Sequence, residues 1–295
     1  MAVLYIAYLM LLSNDTHYAR NRAYLIISLS LSLLLPLVRL NLAPSSGLAA
    51  FQGEIAAWVD LGTITVTPAN NTSAWFYGNI PLVIYLTGII FSLLLTLFYI
   101  IKIYGIIRKG RVKGSNKIYT DFNNISGFSA FGYIFLSTNL DSAEEAKIEE
   151  HEQQHINHNH FSDLVFMKII QIIFWFNPFV YLYSRSVKAI HEYQADAKMI
   201  DGGENPLSYT RLILNQVFRT KLFTLQNAFA NKTLIKKRII MMTKQTTRSV
   251  AGLKLLLILP LAGLLFFAFS CSQEDTNPVY EESKIETEKA APVHN

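Results

Sequence analysis

The sequence predicts a mainly α-helical, polytopic membrane protein: three clear transmembrane helices, a truncated first span, and a cytoplasmic helical region with a small β element. Three observations predict this. Of 295 residues, 51% are apolar and only 16% charged, and the mean hydropathy of +0.27 is high for a soluble domain. Several apolar runs reach or approach the length of about 20 residues that crosses a bilayer as a helix. The basic residues cluster beside those runs, as expected of segments retained on the cytoplasmic side.

Taken in order, Met1 to Leu12 is uncharged and apolar but too short to cross alone, and reads as the residual end of a span. It lacks the basic start and small-residue cleavage site of a secretory signal. Ala23 to Val38 lies between Arg22 and Arg39 and extends to Leu42 if the arginine snorkels. Ile80 to Ile101 contains no ionisable side chain other than tyrosine and is long enough to span. Leu255 to Phe269 is the last span, completed by its flanks within 251–272. Lys102, Arg108, Lys109, Arg111, Lys113 and Lys117 follow one span, and Lys232, Lys236, Lys237, Arg238, Lys244, Arg248 and Lys254 precede another. Both clusters are therefore placed inside. The loop 41–79 carries only Glu54 and Asp60, and the acid-rich tail 273–295 has no apolar periodicity; both are placed outside, the tail disordered. The expected organisation is thus a transmembrane region 1–101, a cytoplasmic region 102–250, a span 251–272 and a tail. Such a chain is expected to be a multi-pass membrane protein. The net charge of +5 is accounted for by lipid headgroups, so no direct nucleic-acid partner is expected. Cys271 is the only cysteine, which excludes an intrachain disulfide and a thiolate metal cluster.

The chemistry is concentrated in His151-Glu152-Gln153-Gln154-His155 and in Glu192-Tyr193-Gln194-Ala195-Asp196. Residues four apart share a helix face, so His151 and His155 can aim two imidazoles at one metal ion. Glu152 is then placed to take a proton from a water at that metal. A catalytic zinc wants three protein ligands and an open position, and Glu192 is the candidate third. Asp196, a turn further, can accept a hydrogen bond from the distal N–H of a ligating histidine. His191, Tyr193 and Arg185 are nearby candidates for donating to a developing oxyanion, each equally explained by packing or headgroup contact. His158 and His160 read as neighbours of the ligands rather than ligands, since Phe161 stands where a metzincin's third histidine would be. Helix signals frame both motifs: Ser142 and Glu145 at capping-box spacing, then Asn177-Pro178 and Gly202-Gly203.

Two flanking segments complete the reading. Ile125 to Ser137 is aromatic and β-favouring, with Gly127 and Gly132, and is expected to form one or two short strands or a hairpin beside the metal helix. Such an edge strand can pair with a substrate backbone. Leu164 to Leu182 is nearly long enough to cross the membrane, but a simple crossing would put His155 and Glu192 on opposite sides. Lys168, Gln171 and Asn177-Pro178 also argue for a hairpin, 164–182, dipping into the bilayer from the cytoplasm.

These residues resemble the BlaR/MecR-type membrane zinc metallopeptidases, the antirepressor and signal-transducer family, themselves similar to the prenyl-protein and heat-shock membrane peptidases. The resemblance rests on Phe128 to Tyr133, His151 to His155, Phe174 to Phe179, His191 to Asp196, and Lys236 to Ile239 with Met241-Met242. It implies a gluzincin fold facing the cytoplasm, with one catalytic Zn2+ on His151, His155 and Glu192, Glu152 as general base, and Asp196 behind the ligands. It also implies a protein substrate, either the chain itself or a winged-helix transcriptional repressor, with a homodimer as one arrangement. Membrane-protein quality control and non-catalytic zinc-dependent transduction stay open beside it. The tail 273–295 offers no Ser-x-x-Lys nucleophile, so direct covalent β-lactam sensing is not expected. Arg219 to Leu225 is a candidate self-cleavage segment.

Overall fold

The computed structural model describes residues 1–35, 72–113, 116–120, 126–219 and 225–247, with Lys254 and Gly263. The chain divides into two compact units, residues 1–33 with 63–260, and residues 34–62 with 261–295; the site belongs to the first. The span 255–269, the tail 273–295, most of the loop 41–79 and most of Arg219 to Leu225 lie outside the described residues.

Helix α1 covers Ala2–Leu11, α2 Tyr18–Leu34 and α3 Thr72–Lys109. Helix α3 begins at Thr72, inside the expected loop 41–79. Among the described residues one helix is long and apolar enough to cross a membrane, Asn79–Arg108. Of the three expected spans this bears out Ile80 to Ile101, Ala23 to Val38 does not reach that standard, and 255–269 lies outside the described residues. In α2 the polar start Tyr18 to Arg22 and three serines lower the hydropathy, and α1 is only 10 residues long.

The expected hairpin forms and is half of a larger sheet. Strands β1 (Arg111–Lys113), β2 (Lys117–Thr120), β3 (Gly127–Ala130) and β4 (Tyr133–Ser137) lie in the order β1-β2-β4-β3, with β2 and β4 parallel and the outer pairs antiparallel. Phe131 (φ 52°) and Gly132 (φ 79°) both turn left-handed, the two-residue geometry that matches strand twist. Phe128 stacks on its cross-strand partner Phe135, ring centroids 4.5 Å apart. β4 is buried on both faces: Phe135 packs with Ile118 and with Ile106 and Ile107 of α3, while Ile134 and Leu136 pack on Ile148.

Ile148 belongs to α4 (Ser142–Asn157), the metal-motif helix, which lies across β3 and β4. Its N-cap is Asp141, so the anticipated Ser142–Glu145 capping box is absent. The Glu145 carboxylate instead accepts the Tyr119 hydroxyl at 2.5 Å. Helix α5 (His160–Ile173) and α6 (Pro178–Asp201) form a helical hairpin. The Asn177 side chain accepts the Phe179 N–H, and Pro178 occupies the first turn, where its missing N–H costs nothing. At the other end the Gly203 N–H (φ 99°) bonds Ile200 O and the Glu204 N–H bonds Met199 O, a Schellman stop. Helices α7 (Pro206–Arg219) and α8 (Leu225–Thr243) pack on α6 through Met199, Tyr209, Leu212, Ile213 and Ile235.

The tip of the α5–α6 hairpin is keyed to α3. A Cβ at Gly88 would stand 2.1 Å from the Trp175 ring, so only glycine admits that indole. Trp175 Nε1 donates to Tyr85 O at 3.3 Å, and Phe176 meets the Tyr85 ring edge-on. On its other side α6 receives α1, where Tyr5 meets Ser186 at 2.9 Å and packs against Tyr183.

Candidate metal centre and active site

Helix periodicity brings His151 and His155 to one face of α4, and α6 crosses that face to present Glu192. The two Nε2 atoms are 3.3 Å apart, and each lies 3.7 Å from an oxygen of the Glu192 carboxylate. Two nitrogens on a tetrahedral zinc at about 2.0–2.1 Å are separated by about 3.3–3.4 Å. The donor set therefore fits a zinc ion: two imidazoles converging through Nε2, a carboxylate, and all three ligand atoms within 4.8 Å of one another.

Each imidazole is held from behind through Nδ1. His151 Nδ1 lies 2.7 Å from the Tyr209 hydroxyl, which donates to Asp196 Oδ1 at 2.9 Å. Asp196 is 3.7 Å from His151 Nδ1, so the expected direct contact is corrected to a relay through Tyr209. His155 Nδ1 lies 2.7 Å from His160 Nδ1, and His160 Nε2 lies 3.2 Å from the Gln194 side-chain oxygen. With the proton on His160 Nε2, His160 Nδ1 accepts from His155, leaving His155 Nε2 free for metal. His160 is 2% exposed and stacks on His191 at 3.9 Å, so it is a built-in support; His158 is turned back onto Gln154 O.

Arg238 of α8 entered the sequence reading only as part of the basic cluster and of the Lys236 to Ile239 resemblance, without a role at the site. Its guanidinium donates to both Asp196 oxygens at 2.8 and 2.6 Å and to Glu192 Oε2 at 2.8 Å, which tolerates two carboxylates one turn apart on α6. Burial works against the charged form of Glu192, but Arg238, then His151 and His155, outweigh it and hold the carboxyl well below the usual range. Burial would likewise lower His151, yet the Glu192 carboxylate raises it overall. His155 is pushed down to about 4 and His160 to about 3, chiefly by burial, so both are neutral near pH 7. Glu152 is raised by burial, against the opposing pull of His151 and a hydrogen bond from Ser129 of β3.

A cavity of about 720 Å3 opens over this cluster, with β3 as one wall and α4 to α8 around it. β3 is a sheet edge. In a two-residue hairpin Ala130 and Tyr133 exchange backbone bonds and the pattern alternates, so Gly127 and Ser129 turn their N–H and C=O groups away from β4. Glu152 lines the same cavity.

The three suggested oxyanion donors are not brought there as donors. Tyr193 is buried on the opposite side of α6 and Arg185 is exposed, neither lining this cavity. His191 lines it, but its Nε2 is engaged by Asp163 Oδ2 at 2.8 Å. The cationic and hydroxyl groups at the cavity are Ser129, Lys147, Lys188, Tyr209 and Arg238.

A His-Glu-x-x-His helix, a glutamate from a second helix and an edge strand across a cleft define a metallopeptidase-type site. Residues 132–242 match the family model described as BlaR1 peptidase M56, which supports a BlaR/MecR-type metallopeptidase. No curated protein and no solved structure matches the chain.

Proposed function

We propose that this chain is a membrane-embedded zinc metalloendopeptidase of the BlaR/MecR type that transduces a signal by cleaving itself, a cytoplasmic transcriptional repressor, or both. The observation that carries the reading is the convergence of His151, His155 and Glu192 with Glu152 beside them, under a cleft walled by a strand that is an edge of the sheet among the described residues. His151, His155 and Glu192 would hold zinc, which when bound acidifies water and polarises a carbonyl. The chain's own residues do the rest. The outward N–H and C=O groups of Gly127 and Ser129 align an extended peptide. Glu152, its proton affinity raised by burial, takes the proton of the attacking water and passes it to the departing amine. Tyr209 and His160 keep the two imidazoles in the tautomer that faces the metal.

The placement in the membrane is supported by the Trp175–Gly88 contact. With Lys102 marking the cytoplasmic end of α3, Gly88 lies about 20 Å into the bilayer at 1.5 Å per residue. That is two-thirds of a hydrocarbon core about 30 Å thick. The α5–α6 tip reaches that depth, and Val165, Ile169, Ile173 and Phe176 are exposed on it, as a lipid-facing hairpin requires.

The test compares detergent-purified wild type with Glu152→Ala for zinc content and for loss of full-length protein over time. Zinc in both, with proteolysis only in wild type and reduced at least about 100-fold in the variant, is the expected result. Zinc in both without proteolysis in either favours a non-catalytic transducer; a zinc-free wild type removes the metal site.

A further inference from the structure

The sequence accounts for Arg22 as a topology marker at the start of an apolar run. In the fold it does something else. Its guanidinium reaches from α2 across to the turn that joins the metal helix to α5: Nη1 donates to His158 O at 2.7 Å and Nη2 to Asn159 O at 3.5 Å. The same group forks onto Asp163, Nε to Oδ2 at 2.5 Å and Nη2 to Oδ1 at 3.1 Å. Asp163 is 8% exposed and in turn accepts His191 Nε2. Every one of these contacts surrounds His160. The two carbonyls precede it in the chain, Asp163 follows it by three residues, and His191 lies flat on its ring, with planes 7° apart.

His160 is the residue on which the His155 imidazole leans. In the turn that carries it Asn159 sits at φ 52°, a left-handed conformation that asparagine adopts readily, and α5 starts without a side-chain cap, so few local bonds fix the turn. A monodentate cation could neutralise Asp163, but only a planar fork meets two carbonyls and two carboxylate oxygens together.

We infer that Arg22 is a positioning residue for the metal centre: by clamping the 158–163 turn it sets His160, and through His160 the orientation of ligand His155. The seat of α2 against the peptidase domain thereby fixes the coordination geometry. This inference rests on the metal reading of His151, His155 and Glu192, and gives a displacement of α2 a direct route to the catalytic centre.

The experiment uses the full chain in detergent, with zinc affinity measured by chelator competition and the visible spectrum of the cobalt-substituted protein as a report of ligand geometry. Arg22→Gln is expected to weaken zinc binding roughly 10- to 100-fold, the range for losing support behind a ligand, and to change the cobalt bands. Asp163→Asn, which conserves volume, is expected to do the same and serves if Arg22→Gln does not fold by circular dichroism. His160→Gln should produce a loss of similar size, and the Arg22→Gln/His160→Gln double variant should bind no worse than the poorer single, because both act on one imidazole. Wild-type affinity and cobalt spectrum in Arg22→Gln and Asp163→Asn, or fully additive losses in the double variant, would overturn the inference while leaving the metal site standing. A wild type that takes up neither zinc nor cobalt sinks the metal reading itself, in a lane that contains no variant.

Discussion

Tyr209 supplies a single hydroxyl to the site, and that hydroxyl sits between His151 Nδ1 and the Asp196 carboxylate. Tyr209→Phe keeps the ring in its packed place while removing the relay, so zinc affinity should fall roughly 10- to 100-fold with little change in fold, measured by chelator competition and circular dichroism. His160 gives a second prediction, about pH. Its folded value, about 3, is below the ordinary histidine value of 6.5, so below pH 6.5 the unfolded chain binds a proton that the folded chain refuses. The stability contribution is present above 6.5 and is lost as pH falls towards 3. Metal-free wild type should therefore lose thermal stability more steeply than metal-free His160→Gln between pH 6.5 and 4. Parallel curves for the two would refute a buried neutral His160. The five residues of the two motifs were legible because their spacing of four, or their adjacency, is local to one helix. Tyr209, Arg238, His160 and Arg22 were not given these roles, because each acts on a partner that no helical period connects to it. Arg22 and Asp163 are 141 residues apart. The two arginines were also masked by a sufficient simpler explanation, since any cation beside an apolar run satisfies the positive-inside rule.

At the scale of elements, the hairpin β3–β4 could be read from its aromatic residues and paired glycines, whereas β1 and β2 are three and four residues long and rich in lysine and arginine. Their pairing is non-local, a parallel register between β2 and β4 that depends on Ile118 and Phe135 sharing one apolar cluster under α3. The α5–α6 break was signalled by Asn177-Pro178, since proline at a helix start is cheap and inside a helix costly. What the break docks on was not signalled, because Gly88 in an apolar run carries no message until an indole is placed against it. That contact yields a prediction. Gly88→Leu should drive Trp175 out of its seat and lower the thermal midpoint in detergent, and Trp175→Ala alone, which removes the indole's packing and its hydrogen bond to Tyr85 O, should lower it too. In the Gly88→Leu/Trp175→Ala pair the leucine occupies the vacated space, so the double variant should lose clearly less than the sum of the singles. Additive losses would mean that the two side chains do not share the site.

For the whole molecule, the proposed relation of the peptidase domain to the bilayer rests on three anchors that agree in direction. Lys102 to Lys117 sit where α3 leaves its apolar length, Arg22 lies near the start of α2 while bonded to the metal-helix turn, and the hairpin tip rests against Gly88. On that proposal the metal centre would lie towards the cytoplasmic ends of α2 and α3, and the tip, Phe176 and Asn177, would be carried about 20 Å towards the far leaflet at 1.5 Å per residue. Phe176 is 58% exposed within the protein, so in a bilayer its surroundings are lipid. Because Cys271 is the only cysteine, Cys271→Ser leaves a background in which one introduced thiol reports its own depth. A spin label at Phe176→Cys in lipid vesicles should be relaxed by dissolved oxygen and protected from an aqueous nickel chelate, as a site deep in hydrocarbon is. The same label at Glu144→Cys, on the first turn of the metal helix, should show the reverse. If Phe176→Cys were relaxed by the aqueous reagent as strongly as Glu144→Cys, the hairpin would lie at the surface, and α3 would cross the bilayer without it.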